Sequence, residues 1–311
     1  QKSPTSISGV SSDVDFPKQF ASLHVMYAKN PLIRVASVGP VLLVLGIFCF
    51  EWYAFNCVFM LRGLGRWKGE PIEVAFFRAF FFNAFWLLAL WSFLRCSFSD
   101  PGFVPQWWLD QNRHIRTEPS FFGWMPGRVS SCQKCEVPRP ERAHHCSICG
   151  KCVMRMDHHC PWVGNCVGAK NHKYFILMLA YGILAAFTYG SSSYPILAAM
   201  IGHSGRGRYT IGSLGVKGWG IFSMGAVLAA SLCLAMSVLF LSHLWLMAVN
   251  RTSIEVAYAG RNPYSQGIFA NASQLCGRFG VDWLLPIAPF RPMTDGCKYL
   301  DYNCVDPECG V

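Results

Sequence analysis

Charged residues are scarce in this sequence. Only 14% of its 311 residues are Asp, Glu, Lys or Arg, whereas a soluble domain usually carries about 25%. Hydrophobic residues instead make up 52% of the chain, and aromatic residues make up 15%. This balance argues against an ordinary water-soluble domain, because a bilayer is the simplest environment that shields so much apolar surface from water.

Acidic residues are the scarcer of the two charged classes, and the formal net charge is +10. A basic surface suits anionic partners such as lipid headgroups, nucleic acid or a phosphorylated ligand. The long apolar runs favour the membrane surface, so we do not expect nucleic acid as a partner. We also expect residues 1–16 to form a flexible tail, since they show neither a cleavable signal peptide nor helical periodicity.

Charge is nearly absent from four long stretches. Residues 35–60 and 74–94 contain one charged residue each, whereas 174–201 and 219–250 contain none. About 20 mostly apolar residues suffice to span a bilayer. We therefore predict an all-α membrane protein with four transmembrane helices. A large soluble core is the alternative, but the last two stretches exceed the length at which apolar runs indicate a membrane span.

Lys and Arg are concentrated on one side of the predicted membrane. The two tails and the 95–173 connection hold 20 of the 27 basic residues, which predicts that all three lie in the cytosol. The reducing cytosol also suits the many cysteines of that connection. The predicted organisation is a tail over 1–33, helices 1 and 2 within 34–98, a cysteine-rich domain over 99–173, helices 3 and 4 within 174–249, and a tail over 250–311.

Seven of the fifteen cysteines lie between Cys132 and Cys166. Two Cys-x-x-Cys pairs, at 132–135 and 146–149, are typical of zinc knuckles built on small β-hairpins, in which both thiolates face one ion. Each pair needs two further ligands. Spacing alone leaves those ligands open among seven candidates: His144, His145, Cys152, His158, His159, Cys160 and Cys166.

The run Asp157-His158-His159-Cys160 combines a nucleophile, a base and a carboxylate that can orient the base. Adjacent histidines on an extended backbone point in different directions, so one can bind zinc while the other faces a reaction centre. The alternative is a purely structural double zinc knuckle, because zinc spacing alone does not make any thiol catalytic.

This segment resembles the cysteine-rich domain of the DHHC protein acyltransferases, the palmitoyltransferase family. The cysteine spacing, the run Asp157 to Trp162 and the run Asn165 to Gly168 carry the resemblance. Three flanking motifs extend it: Asp100-Pro101-Gly102, Thr252-Ser253-Ile254-Glu255 and a C-terminal motif that contains Asn271. Ser253 departs from the commoner Thr but keeps the hydroxyl group.

The resemblance implies two structural zinc ions with interleaved ligand sets. One set is Cys132, Cys135, His145 and Cys152, and the other is Cys146, Cys149, His159 and Cys166. Asp157, His158 and Cys160 then remain for catalysis. The implied activity is transfer of palmitoyl or another long acyl group from acyl-CoA to cysteines of proteins at the cytosolic membrane face, by a ping-pong reaction through acyl-Cys160.

The resemblance also implies residues around this centre. Those expected to line the acyl-chain site are Trp162, Phe175 and Ala185, and those expected to support the site are Ser253, Glu255 and Asn271. Among the basic residues near the site, Arg142 is expected to meet the CoA phosphates, with Lys134 or Arg139 as further candidates. The expected partners are the lipid bilayer and protein substrates with membrane-proximal cysteines. The expected compartment is the Golgi or endoplasmic reticulum, with the plasma membrane as the alternative. Two rival functions are a non-catalytic membrane zinc scaffold or adaptor, and a membrane-anchored zinc-finger ubiquitin ligase.

Overall fold

Four long apolar helices dominate the chain. The computed structural model describes residues 31–60, 72–201 and 215–299. Four of the helices in these ranges are long and apolar enough to cross a membrane, at Val38–Met60, Ile72–Phe98, His172–Tyr194 and Lys217–Ala248. The prediction of a mainly helical protein with four transmembrane helices and a cysteine-rich insert between the second and third is confirmed.

The helical elements follow one another in chain order. They are α1 (Pro31–Trp52), continued by a π-helical segment over Tyr53–Met60, then α2 (Ile72–Phe98), α3 (Gln106–Asn112), α4 (His172–Ile201), α5 (Gly215–Ala248) and α6 (Ile268–Cys276). Short 3₁₀ turns lie at Glu255–Ala257 and Val281–Leu284.

Aromatic side chains pack the helices together at the end of the bundle remote from the insert. Phe55 stacks on Phe82 with ring centroids 4.0 Å apart, and Phe59 stacks on Phe222 at 5.0 Å. Tyr189 is fully buried among them, and its hydroxyl donates to the Phe222 carbonyl at 3.2 Å. Tight packing matters here because lipid tails are as apolar as the helix surfaces and supply no hydrophobic drive for association.

Three short antiparallel hairpins form the cysteine-rich insert. They pair β1 (Ser130–Cys132) with β2 (Val137–Arg139), β3 (His144–Cys146) with β4 (Lys151–Val153), and β5 (His158–Cys160) with β6 (Asn165–Val167). Glu136 and Gly150 turn the first two hairpins with φ of 56° and 67°. Each donates its N–H to the carbonyl of the first cysteine in its Cys-x-x-Cys pair at 2.8 Å, so the same turn is used twice.

The segment after α5 folds back onto the insert. Glu141, which lies between the first two hairpins, accepts hydrogen bonds from the Tyr264 hydroxyl at 2.9 Å and from the Tyr299 backbone N–H at 3.0 Å. It also accepts the Gly127 backbone N–H at 2.8 Å. The contacts with Tyr264 and Tyr299 join residues more than 120 positions apart and hold the C-terminal segment against the hairpins.

Candidate active site and metal centres

Two groups of four Cys and His side chains converge within the hairpins. One is Cys132, Cys135, His145 and Cys152, and the other is Cys146, Cys149, His159 and Cys166; in each, one donor atom from every residue lies within 4.8 Å of the others. These are the two ligand sets that the family resemblance implies.

The distances within each group are close to those around a tetrahedral metal ion, with the His145–Cys135 contact the shortest. His145 Nδ1 lies 3.6 Å and 3.1 Å from the Cys132 and Cys135 sulfurs, while His159 Nδ1 lies 3.7 Å from the Cys146 sulfur. Zinc bonds of about 2.3 Å to sulfur and 2.0 Å to nitrogen place tetrahedral ligand atoms about 3.5–3.8 Å apart. Both clusters can therefore each hold a metal ion, and their three thiolates and one imidazole suit zinc.

The middle hairpin contributes to both clusters. His145 and Cys152 are direct cross-strand partners and serve the first cluster, whereas Cys146 at the end of β3 serves the second. Successive strand residues point to opposite faces, which explains how neighbours in sequence reach different ions. Folding of this hairpin therefore couples the two sites.

The same alternation builds the reaction centre on β5. His159 faces its metal cluster, so His158 and Cys160 share the opposite face of the strand. His158 Nδ1 lies 2.7 Å from Asp157 Oδ2. Because that nitrogen donates to the carboxylate, the other ring nitrogen, Nε2, is the acceptor of the neutral ring.

Asp157 is held as a buried carboxylate. Ser253 donates to it twice, from the backbone N–H to Oδ1 and from the hydroxyl to Oδ2, each at 2.8 Å. Burial alone would raise the pKa of Asp157, but the hydrogen bonds from His158 and from the Ser253 N–H hold that pKa well below its usual range. Burial would likewise lower the pKa of His158, yet Asp157 and Cys160 raise it to about 9.

Cys160 belongs to neither metal cluster and lies where the insert meets the helices. Its side chain is 6% exposed and packs in an apolar cluster. Other buried members of this cluster are Phe93, Cys96, Val163, Val167, Tyr174, Phe175 and Leu179, and residues of α1 and α5 pack against them. A thiol outside both metal clusters therefore adjoins an apolar region formed among the spanning helices.

Comparisons with known proteins agree with this arrangement. The family model for DHHC palmitoyltransferases matches residues 127–259. The probable protein S-acyltransferase 13 of Arabidopsis thaliana is 33% identical over 273 residues, which cover 82% of this chain and 86% of the relative. The chain belongs to the DHHC palmitoyltransferase family.

Vertebrate relatives are similar over a shorter region. Human palmitoyltransferase ZDHHC2 is 32% identical over 194 residues, which cover 60% of this chain and 50% of the relative. Palmitoyltransferase ZDHHC15 of Xenopus laevis is 30% identical over 182 residues, covering 56% and 50%. The matched region thus spans about half the length of these two relatives.

The family's motif after the fourth helix surrounds the active-site carboxylate. In Thr252-Ser253-Ile254-Glu255, Ser253 contacts Asp157 as described, while Glu255 is 1% exposed and accepts the Thr252 N–H at 3.0 Å. Burial would raise the pKa of Glu255, but the Arg142 guanidinium lowers it below its usual value. The motif therefore supports the site through the contact of Ser253 with Asp157, and it does not reach the apolar region around Cys160.

Arg142 lies in a different environment from the one expected for a residue that binds acyl-CoA. Its Nε and Nη2 donate to the two Glu255 oxygens at 2.8 Å, and Nη1 donates to Asn250 Oδ1 at 3.1 Å. The guanidinium also lies over the rings of Tyr264 and Tyr299 at 4.7 Å and 4.8 Å. With its side chain 1% exposed, Arg142 is committed to protein groups and is not free for phosphates.

The other expected residues lie at separate positions. Phe175 is buried and meets the His158 ring edge-on at 5.4 Å, whereas Trp162 is 56% exposed beside Cys160. Ala185 is buried on α4 one turn before Tyr189. Asn271 contacts backbone and one serine, since its amide donates to the Ala248 carbonyl at 2.8 Å and to Ser265 Oγ at 3.0 Å.

Asn165 entered the sequence analysis only as part of the family run and Asn171 not at all, yet both tie the insert to α2. Asn165 donates to the Cys96 and Ser99 carbonyls at 3.0 Å and 2.9 Å, and Asn171 donates to the Cys96 and Cys166 carbonyls at 3.2 Å and 2.8 Å. They satisfy carbonyls that α2 leaves free at its C-terminal end and thereby fix β6 to the helix. For Asn165, the position beside Cys166 of the second Cys/His cluster was the available sequence signal.

Three buried residues beside the active site, Arg155, His172 and His243, were also missed. The available signal was His243, because an ionisable side chain within an apolar span indicates a functional position.

Proposed function

We propose that this protein is a protein S-acyltransferase that moves palmitoyl or another long acyl group from acyl-CoA to protein cysteines through Cys160. One observation carries the proposal: His158 and Cys160 share a face of β5, and His158 is hydrogen-bonded to a buried carboxylate. A purely structural zinc protein has no need of that carboxylate–imidazole pair beside a thiol outside both metal clusters.

In the first half-reaction, His158 takes the proton from the Cys160 thiol and Asp157 stabilises the imidazolium that forms. The Cys160 thiolate attacks the thioester carbonyl carbon of acyl-CoA. The carbon–sulfur bond to CoA then breaks, CoA leaves as a thiolate that takes the proton from His158, and acyl-Cys160 remains. One thioester replaces another, so the step needs no additional energy source.

In the second half-reaction, a substrate cysteine gives its proton to His158. Its thiolate attacks the acyl-Cys160 carbonyl, and Cys160 leaves as a thiolate that recovers the proton. The two substrates use the same centre in turn, which predicts ping-pong kinetics.

The apolar region around Cys160 suits the acyl chain, with Phe175 and Trp162 at its entrance and Ala185 deeper along α4. Burial of each methylene contributes about 0.8 kcal/mol, so a long chain binds well there. For the CoA phosphates we propose Lys134 and Arg139 in place of Arg142. Lys134 is exposed and Arg139 half-buried on the hairpins, where a guanidinium or ammonium can meet phosphate oxygens.

The two Cys/His clusters are proposed to hold structural zinc, which fixes the hairpins and takes no part in proton transfer. The distribution of Lys and Arg supports a cytosolic position for both tails and the insert, where substrates with membrane-proximal cysteines are accessible. For the compartment we propose the Golgi or endoplasmic reticulum.

Steady-state kinetics test the reaction scheme. Purified protein in detergent is given palmitoyl-CoA and a cysteine peptide at varied concentrations, and CoA release and peptide acylation are followed. Parallel double-reciprocal lines, with no CoA release from Cys160→Ala, are expected. Intersecting lines, or equal transfer by the Ala variant, contradict the acyl-enzyme route. No turnover by a zinc-loaded wild-type protein favours the scaffold function.

A further inference from the structure

A chain of three buried polar side chains ends beside the Asp157–His158 pair. Arg155 Nη1 lies 3.2 Å from His172 Nδ1, and His172 Nε2 lies 3.1 Å from His243 Nδ1. None of the three residues that form the chain is more than 4% exposed. They come from the segment before β5, the first turn of α4 and the last third of α5, so their meeting is a product of the tertiary fold.

The guanidinium fixes the direction of the hydrogen bonds. Arginine can only donate, so Nδ1 of His172 accepts and a neutral His172 carries its proton on Nε2. That proton is donated to Nδ1 of His243, which therefore carries its own proton on Nε2. The hydrogen-bond network thus assigns one tautomer to each ring.

His243 lies against the catalytic pair. Its ring centroid is 5.9 Å from that of His158. A carboxylate oxygen of Asp157 and one ring nitrogen each of His158 and His243 lie within 4.8 Å of one another. Phe175 packs edge-on against both imidazoles, at 4.9 Å from His243 and 5.4 Å from His158. The His158 ring is therefore flanked by Asp157, Phe175 and His243.

We propose that His243 is a positioning residue for acyl transfer. Arg155 and His172 hold it as a neutral ring with its N–H on Nε2, and in this state it keeps His158 oriented with Nδ1 toward Asp157 and Nε2 toward Cys160. The inference rests on the proposed acyltransferase function and assigns a role to a histidine that the reaction scheme itself does not use.

Two substitutions at His243 separate this role from simple packing. His243→Phe keeps the ring shape but loses both nitrogens, whereas His243→Asn loses the ring but keeps an acceptor oxygen near Nδ1 and an N–H. The readout is the rate of acyl-Cys160 formation over a range of palmitoyl-CoA concentrations. For His243→Phe we expect the saturating rate to fall roughly 10- to 100-fold, as for a misplaced catalytic group, with KM changed less than about twofold.

The Asn variant is expected to recover a large part of the lost rate. A packing role predicts the opposite order, with Phe close to wild type and Asn the slower variant. His172→Phe should lower the rate as much as His243→Phe, and the double variant should be no slower than either single variant, because both act through one chain of hydrogen bonds. His114→Phe, at an exposed histidine, is the matched control and should leave the rate unchanged.

Zinc content reports correct folding in every variant. If His243→Phe loses its zinc, the test uses His243→Asn and His172→Phe instead. We then expect His243→Asn to retain the rate and His172→Phe to lose it. A saturating rate within twofold of wild type in His243→Phe, or a loss confined to KM, overturns the inference. Failure of the wild-type protein to acylate Cys160 overturns the proposed function instead, and it is distinguishable because it does not involve His243.

Discussion

At the scale of single residues, Asp157 shows how the fold keeps a buried carboxylate ionised. Three hydrogen-bond donors from His158 and Ser253 converge on a carboxylate that is 1% exposed. Isolated burial would favour the neutral acid, so these donors are what keep the group ionised and able to stabilise an imidazolium.

The Ser253 hydroxyl is the donor that can be removed most cleanly. For Ser253→Ala we expect the rate of acyl-Cys160 formation to fall about tenfold, because a hydrogen bond to a charged group contributes about 1.5–3 kcal/mol. Ser253→Thr keeps the hydroxyl and should retain most of the rate. The measurement is single-turnover acylation with palmitoyl-CoA, and equal rates in the Ala and Thr variants would argue against a role for the hydroxyl.

Arg142 and Glu255 make a stability prediction at the same scale. Arg142→Ala leaves the Glu255 carboxylate buried without its partner, which costs about 3–5 kcal/mol. Thermal unfolding in detergent should show a clear loss of Tm. Arg113→Ala is the matched control, since its ion pair with Asp110 is exposed and exposed pairs contribute about 0–1 kcal/mol. Similar Tm values for the two variants would contradict this account.

Some residue roles could be predicted from the sequence, and others could not. Spacing between 132 and 166 could indicate two metal sites, because knuckles and strand alternation are local rules. The role of Arg142 could not be found this way, since its partner Glu255 is 113 positions away. A basic residue near a phosphate-binding surface and a basic residue inside a buried ion pair look the same in one sequence. The missed role of His243 has the same cause, because its partners lie on other elements.

At the scale of elements, α4 runs from the Asp157–His158–Cys160 site into the helix bundle. Phe175 near its start touches His158, and Tyr189 lies about 21 Å further along by helical rise. Tyr189 packs against Phe55 and Phe222. The small Ala185 lies one turn before that aromatic group, and we propose that it sets the length available to an acyl chain.

Ala185→Tyr is expected to shift preference toward shorter acyl-CoAs, because a ring at this buried position shortens the space along α4. Leu184→Tyr is the matched control, as Leu184 is 40% exposed on the same helix and should change nothing. Competition between acyl-CoAs of different length, read as the acyl mass on Cys160, measures the preference. An unchanged length profile in Ala185→Tyr would refute the idea.

The hairpins supply a prediction about metal. Because β3 and β4 carry ligands of both clusters, loss of one site should weaken the other. For Cys152→Ala we expect the zinc content to fall below one ion per chain, against two in the wild type, with loss of acyl-Cys160 formation. Elemental analysis after gel filtration gives the content. Retention of one full equivalent would show that the sites are independent.

At the scale of the whole molecule, the spanning helices and the insert differ in how much apolar surface they bury. The spanning helices leave many large apolar side chains exposed, such as Phe80 and Leu234, where lipid can cover them. The insert instead has strands of three residues and small apolar clusters of its own among the described residues, and we propose that metal binding at its two Cys/His clusters takes the place of a large core. The reaction centre lies where the two parts meet.

The global features of the fold differed in how far the sequence could predict them. Span number and class followed from apolar length, a property that needs no tertiary information. The return of residues 250–299 onto the insert did not, because it depends on pairings such as Tyr264 with Glu141 and Ser253 with Asp157. The sequence of a predicted tail does not indicate which residues elsewhere in the chain its polar side chains will contact.

The most direct test of the central claim is mass spectrometry of the purified protein after incubation with palmitoyl-CoA, beside a Cys160→Ser variant. The account predicts an acyl mass on the peptide that carries Cys160, removed by hydroxylamine and absent from the variant. A folded, zinc-loaded wild-type protein that gains no acyl mass, or gains it equally in the variant, would contradict it.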